Sequence, residues 1–247
     1  MSNIRIFIPN KLQKFQKISL SQDECHYLIR VMKIKNNTII KAFNVHDGEW
    51  NCYTPIYNKE RVTIIPFEKT KLTLKKSKII LAFSLIKRQN ISFVIQKATE
   101  LNIKEIHPLI VDRSVVKTVN LNRLHIIAKE SSEQCGRLDI PKIHVLSTIE
   151  NLVKENIGHQ FIVCHNCNDA IEINLLNKEI DHHKDIIVLI GPEGGFSNKE
   201  ISYFKSLNLL FLKLSHLTLR AETAALVAIS NIQNFYYSSN NVSFKQK

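Results

Sequence analysis

The spacing of hydrophobic positions changes partway along the chain. In the first seventy residues apolar stretches are short and turn signals are close together. Arg5–Ile8, Thr38–Asn44, Glu49–Ile56 and Arg61–Phe67 read as strands. Asn36-Asn37 marks a turn, and Asp47-Gly48 is a hairpin signal. Ser21 and Glu24 stand at capping-box spacing, which predicts a short helix over Gln22–Val31 with His26 and Arg30 one turn apart. Several short strands around one helix predict a small barrel over residues 1–70.

From Ile79 the pattern alternates between apolar runs and helical stripes. Ile79–Leu85 is a buried strand, and Asn90–Leu101 carries apolar residues at 91, 94, 95, 98 and 101, one helical face. Asn102 takes the C-cap place that glycine usually fills. Glu105–Leu109, Ile143–Leu146, Phe161–Cys164, Ile186–Ile190 and Leu209–Leu214 read as strands. Leu121–Cys135, stopped by Gly136, and Ile149–Glu155 read as helices, as do the stretch after Ser197 and Glu222–Phe235. Residues 170–177 fit either type. Alternating strand and helix predicts an α/β domain with a parallel sheet over 71–247.

The strand Ile186–Ile190 runs into Gly191-Pro192-Glu193-Gly194-Gly195. Pro192 has no N–H and glycines reach backbone angles other residues avoid, so the strand must stop there. Ser197 and Glu200 then repeat the capping-box spacing. Strand, glycine turn and helix start is how an α/β sheet builds a ligand site at the carboxyl end of a strand. Three of the chain's 6 glycines lie in this turn, which predicts a backbone that comes close to something. The pattern is neither a P-loop nor G-x-G-x-x-G, and Glu193 would repel a polyphosphate. A ligand without phosphates, held by backbone groups, is expected. The competing reading is a tight strand–helix connection with no ligand.

A second stretch follows Leu209–Leu214: S-H-L-T-L-R-A-E-T-A-A-L, Ser215 to Leu226. G-P-E-G-G-F-S followed by L-R-A-E-T-A-A-L resembles the RsmE family of small-subunit rRNA uridine-N3 methyltransferases, in the SPOUT superfamily. K-R-Q-N-I-S-F-V-I-Q-K-A-T-E-L (Lys87 to Leu101), S-E-Q-C-G-R (Ser132 to Arg137) and H-Y-L-I-R-V-M-K (His26 to Lys33) resemble further signatures of that family, in the same order. The resemblance implies a C-terminal SPOUT-type α/β domain with a trefoil knot over 71–247 and a PUA-like, RNA-binding β-barrel over 1–70. The periodicity itself shows no knot. The implied activity is transfer of a methyl group from S-adenosylmethionine to N3 of a uridine in 16S rRNA, with no metal. A homodimer is implied too. Ala224, Ala225, Val227, Ala228 and Ile232 offer it a small-residue helix face, or else pack within the chain.

The resemblance also implies the cofactor residues. They are His165 in the loop after Cys164; Leu189, Ile190, Gly191, Pro192, Glu193, Gly194 and Gly195 around the glycine turn; and Leu214, Ser215, Leu219, Arg220, Glu222 and Thr223. Arg220 is the candidate catalytic residue: a guanidinium there stabilises charge developing on the uracil ring or grips a phosphate. The competing reading is a structural ion pair with Glu222 or Glu193. Arg137 is a second catalytic candidate, against a solvated residue just past the Gly136 cap. Glu133 and Gln134 line the site or cap the helix interior, and Thr223 caps or supports the last helix or touches the cofactor. The chain departs from the family at Ser215-His216-Leu217, where glycine, proline and arginine are usual. That departure motivates an alternative, an RNA-binding protein of this fold that no longer catalyses.

Composition adds a partner. The 247 residues carry a formal net charge of +12, which favours a polyanion. The basic residues cluster: seven and no acid from Lys69 to Asn90, and Arg5, Lys11, Lys14 and Lys17 with no acid in the first twenty residues. Five scattered cysteines argue against a disulfide framework. Cys164 and Cys167 form a C-x-x-C with no second pair at zinc spacing. No apolar run approaches the length of a membrane span, and Asn3, Arg5 and Pro9 interrupt any signal-peptide layout, so a cytoplasmic location is expected.

Overall fold

The computed structural model describes residues 4–57, 61–72 and 77–238. The chain divides into two compact units, Met1–Lys75 with Ser132–Ile140 and Lys76–Ser131 with Pro141–Lys247. A boundary near residue 70 therefore leaves out Ser132–Ile140, which the first unit takes back. Lys75 and Lys76, part of the expected basic cluster, lie outside the described residues.

In the first unit β1 (Arg5–Phe7), β2 (Ile18–Ser19), β3 (Thr38–Asn44), β4 (Gly48–Thr54), β5 (Ile56–Tyr57) and β6 (Arg61–Lys71) lie in the order β1-β3-β4-β6-β2, with β5 on β6. β1 runs parallel to β3, and the other pairings are antiparallel. Alternation sends Ile40, Ala42, Cys52, Val62 and Ile64 into one core with Ile6 and Leu28. The Asp47-Gly48 turn needs its glycine. Gly48 has φ +79°, and a Cβ there would collide with the Lys71 carbonyl. α1 (Gln22–His26) starts on a complete Ser21–Glu24 capping box. It does not stay α-helical to Val31: Tyr27–Val31 is a π turn, closed by Met32 N–H donating to the Tyr27 carbonyl at 2.9 Å.

The second unit is α/β. β7 (Ile79–Ser84), β8 (Glu105–Leu109), β9 (Lys142–Ile143), β10 (Gln160–Cys164), β11 (Ile171–Glu172), β12 (Ile186–Ile190) and β13 (Leu210–Lys213) form one sheet, ordered β11-β13-β10-β12-β7-β8-β9. Every named pairing in it is parallel. All residues of β7 and β12 are buried, as continuous apolar runs in mid-sheet require. Ile80, Ala82, Ile187 and Leu189 point to the face where Ile149 and Leu152 of α4 (Ile149–Glu155) and Phe204 of α6 (Asn198–Ser206) pack. α7 (Ala221–Ser238) packs on β7 and β12 and against α2 (Arg88–Glu100). α3 (Leu121–Cys135) falls where its stripe predicts. The ambiguous stretch resolves into β11, a 3-10 turn and a short α5 (Leu176–Glu179). Asn102 takes φ +51°, as its C-cap place requires.

Arg5 is not part of a free basic patch. It is buried in β1, and its Nε donates to Glu49 at 2.6 Å. Its terminal nitrogens donate to the carbonyls of Ser132 at 2.8 Å, Glu133 at 2.9 Å and Arg137 at 3.0 Å. The Glu133 carboxylate in turn accepts the Phe7 N–H at 3.0 Å. Burial pushes the Glu49 carboxyl up. Hydrogen bonds from Arg5 and Thr70 and the charges of Arg5 and Lys71 outweigh that and hold it below the ordinary value of 4.5. A depressed carboxyl stabilises the fold above its unfolded value and loses that contribution as pH falls through the folded one. Urea titrations are therefore expected to show stability falling below about pH 4.5, with a shallower fall in Glu49→Gln. Arg5→Met at pH 7 leaves the buried Glu49 charge only Lys41 at 3.3 Å and Thr70 at 2.9 Å, and is expected to cost roughly 3 kcal/mol. A loss under about 1 kcal/mol would mean the pair is dispensable.

Candidate functional site

The glycine turn leaves β12 at the centre of the second unit's sheet. Gly195 N–H donates to the Pro192 carbonyl at 2.8 Å and closes it. Each glycine has its own reason. A Cβ on Gly191 would lie 3.2 Å from the Phe196 ring, tighter than ordinary contact. Gly195 has φ +67° with nothing within 4 Å, so only its backbone angle demands glycine. At Gly194 a Cβ would make ordinary contact with Arg113 at 3.5 Å. The close approach expected from the glycines is, at Gly191, to the chain's own buried phenylalanine.

The turn is clamped from a distant loop. Glu200 completes the capping box by accepting Ser197 N–H at 2.7 Å, and its other oxygen accepts Asp112 N–H at 2.9 Å. Ser197 Oγ donates to the Asp112 carboxylate at 2.6 Å, and Arg113 donates to the Gly194 carbonyl at 2.8 Å. Nothing in the spacing of the glycine motif points to Asp112 or Arg113.

A cavity of about 330 Å³ opens at the carboxyl ends of β10, β12 and β13. Of the expected cofactor residues, His165, Ile190, Gly191, Pro192, Glu193, Gly194, Gly195, Leu214, Ser215 and Leu219 line it. Asn166, Phe196, Leu217, Thr218, Ala221 and Ala224 line it too, without having been named as cofactor residues. Leu189 points into the core beside Phe161 and Phe204, because neighbours in a strand face opposite ways. Thr223 is exposed in the first turn of α7 and does not cap it, since the helix starts at Ala221. Arg220 holds the cap position and accepts Ala224 N–H on its carbonyl at 2.8 Å. Ser215 spends its hydroxyl on the loop, accepting Leu217 N–H at 3.0 Å. Arg137 belongs to the first unit, buried, with Nε on Asp139 at 2.9 Å, while Gln134 is exposed.

Arg220 and Glu222 line a neighbouring cavity of about 350 Å³ with Lys87, Gln89, Asn90 and Glu193, so Glu193 walls both spaces. The Glu193 carboxylate accepts the Lys87 N–H at 3.4 Å, and Glu222 accepts Asn90 Nδ2 at 3.0 Å. Glu222 Oε2 is buried and has no partner among the described residues. The Arg220 guanidinium forms no ion pair with either acid among the described residues.

The first cavity has one acid, Glu193, and no lysine or arginine in its lining. Burial, with the charge of Arg113, holds His165 below its ordinary 6.5, so its ring is neutral at pH 7. Burial pushes the Cys164 thiol up, which leaves it unreactive. Such a lining disfavours polyphosphates and accepts a cation. Among the described residues Glu105, His107 and His144 stand close enough to share a metal; the two rings stack 3.7 Å apart at 16°, and His144 Nε2 lies 2.6 Å from the Glu105 carboxylate.

Residues 73–233 match the RNA methyltransferase domain family. The ribosomal RNA small subunit methyltransferase E of Rickettsia conorii is 33% identical over 231 residues, 93% of this chain and 94% of its own. This chain belongs to the small subunit methyltransferase E family. A family relative of the same name from Buchnera aphidicola subsp. Acyrthosiphon pisum is 27% identical over 94% of this chain and 93% of its own. A putative methyltransferase from Legionella pneumophila, solved in complex with the bound cofactor SAM, is 27% identical at a TM-score of 0.84, covering 94% of this chain and 98% of that one. Among the described residues no helix is long and apolar enough to cross a membrane.

For this family member the glycine turn makes three separable predictions. Gly195→Ala is expected to lose roughly 1–2 kcal/mol in urea unfolding through its left-handed backbone. Gly194→Ala is expected to stay within about 0.5 kcal/mol of the parent. Gly191→Ala is expected to displace the Phe196 ring and weaken ligand binding to the cavity more than either. Equal losses at 194 and 195 would contradict this account of the turn.

Proposed function

We propose that this protein transfers the methyl group of S-adenosylmethionine to N3 of a uridine in 16S rRNA. The observation that carries the reading is the cavity itself, walled by two neighbouring loops, with an acid and a neutral histidine where a phosphate site would carry cations. Its volume lies near the lower end of the roughly 300–1,000 Å³ usual for small-molecule sites. S-adenosylmethionine carries its methyl on a sulfonium cation and needs no metal to activate it. The backbone of Ile190–Gly195 and of Leu214–Leu219 holds the nucleoside and amino-acid ends, and Phe196 and Leu212 exclude water. Glu193 sets a negative charge beside the cationic region. The neighbouring cavity takes the uracil. There Arg220, at the start of α7 and in no ion pair among the described residues, stabilises the negative charge that grows on the ring as the N3 proton passes to water. Positioning supplies most of the remaining acceleration. Ser215, one of the departures from the family pattern, accepts Leu217 N–H within its own loop.

The same reading takes the first unit as a PUA-like RNA-binding barrel, the chain after β10 as threaded in a trefoil knot, and the active species as a cytoplasmic homodimer. Each goes beyond the family assignment and follows from the sequence resemblance. S-adenosylmethionine at 100 times its dissociation constant is expected to add about 2.7 kcal/mol of stability, read as a rise in melting temperature. Labelled methyl is expected to appear in 16S rRNA as 3-methyluridine. Arg220→Ala is expected to keep the thermal shift while losing about 10²–10³-fold in rate. No thermal shift at millimolar cofactor would sink the reading, and full activity in Arg220→Ala would remove that residue from the mechanism.

A further inference from the structure

Phe15 is an odd residue for its place. It is the third residue of a turn from Gln13 to Gln16, closed by Gln16 N–H donating to the Gln13 carbonyl at 3.1 Å. Its φ is +63°, left-handed backbone that suits glycine or asparagine and strains a bulky side chain. The ring gains little packing in return, being 67% exposed. Strain held without burial is a sign of use elsewhere.

The surroundings show what that use is. Phe15 N–H donates to the Pro66 carbonyl at 2.7 Å, which pins the turn against β6 beside Phe67. That bond sets Phe15 opposite Pro66, one residue from Phe67 along β6. On β6, Val62, Ile64 and Pro66 are buried, while Thr63, Ile65 and Phe67 lie on the other face and are half-buried. Tyr53, opposite Ile65 on β4, is 43% exposed and stacks on Phe67 at 4.3 Å and 23°. Lys14 lies 5.2 Å from the Phe15 ring, and Lys17 is exposed two residues on. The nearby acid on β6, Glu68, is held by Asn51 Nδ2 at 2.9 Å.

We propose that Phe15, Tyr53 and Phe67 form a stacking platform for unpaired bases of RNA, with Lys14 and Lys17 gripping the adjacent phosphates. Exposed aromatic faces interleaved with cations are the chemistry of single-stranded nucleic-acid binding: every base has a face to stack, and every phosphate a charge to neutralise. The platform rests on the proposed rRNA substrate and assigns part of its recognition to named residues of the first unit. A duplex hides its base faces, so the platform selects single strands.

The test measures binding of a fluorescent single-stranded RNA, and of the same sequence as a duplex, to the full-length protein over a range of salt. Phe15→Asn and Tyr53→Ala are each expected to weaken single-strand binding roughly 5- to 100-fold with the salt slope unchanged. Lys14→Ala is expected to flatten that slope by about 0.7. Phe15→Asn also relieves the backbone strain, so its melting temperature is expected to rise while its affinity falls, which separates lost stacking from misfolding. Wild type that methylates rRNA while Phe15→Asn and Tyr53→Ala bind within about twofold of it would overturn the platform alone. Equal loss on duplex RNA would overturn it too. Wild type that binds no RNA would overturn both the platform and the rRNA reading.

Discussion

The Glu200 carboxylate ties together the loops that build the candidate site. One oxygen completes the cap on α6 through Ser197 N–H, and the other takes the N–H of Asp112 after β8. Asp112 closes the triangle by accepting Ser197 Oγ. A carboxylate this buried is tolerable only when its lone pairs are met. The same loop after β8 holds the far end of the glycine turn a second time: Arg113, next in the chain, donates to the Gly194 carbonyl. The turn can then present its backbone to the cavity without stabilisation from a ligand, the preorganisation that a methyl-transfer site needs.

Charge is distributed to suit that chemistry. The chain is strongly basic overall, yet the cavity lining carries one acid and no lysine or arginine. Arg113, on the loop after β8, is committed to a carbonyl and helps keep His165 neutral. Arg220, by contrast, faces the adjoining cavity with no acid paired to it among the described residues. The first cavity's lining carries one acid, while Lys87 and Arg220 balance Glu193 and Glu222 around the second.

Basic residues are also not interchangeable within the first unit. Arg5 was counted among the residues open to an anion, and instead fills a buried socket made of Glu49 and three carbonyls from Ser132, Glu133 and Arg137. The planar guanidinium meets a carboxylate and a set of carbonyls at once, which a lysine ammonium would not do as well. Lys14 and Lys17, a few residues along, remain on the surface. Composition counts both kinds alike.

The amino-acid sequence alone determined what depends on near neighbours. Both capping boxes form as spaced, β12 spans the expected Ile186–Ile190, and Asn102 takes its left-handed cap. Two motifs near the C-terminal end, read through the family resemblance, named nine residues of the cavity and the loop after Cys164 a tenth, because each is a continuous loop at a strand end. The tertiary structure decided everything that joins distant positions. Asp112 meets Ser197 across 85 residues, and Arg5 meets Arg137 across 132. It also turned Leu189 away from the site that its neighbour Ile190 lines, and moved the cap of α7 from Thr223 to Arg220. Periodicity reports which face a residue shares with those three or four places away. It carries no record of which distant loop will bring a carboxylate to meet an orphan N–H, and that pairing is settled only when the whole sheet is assembled.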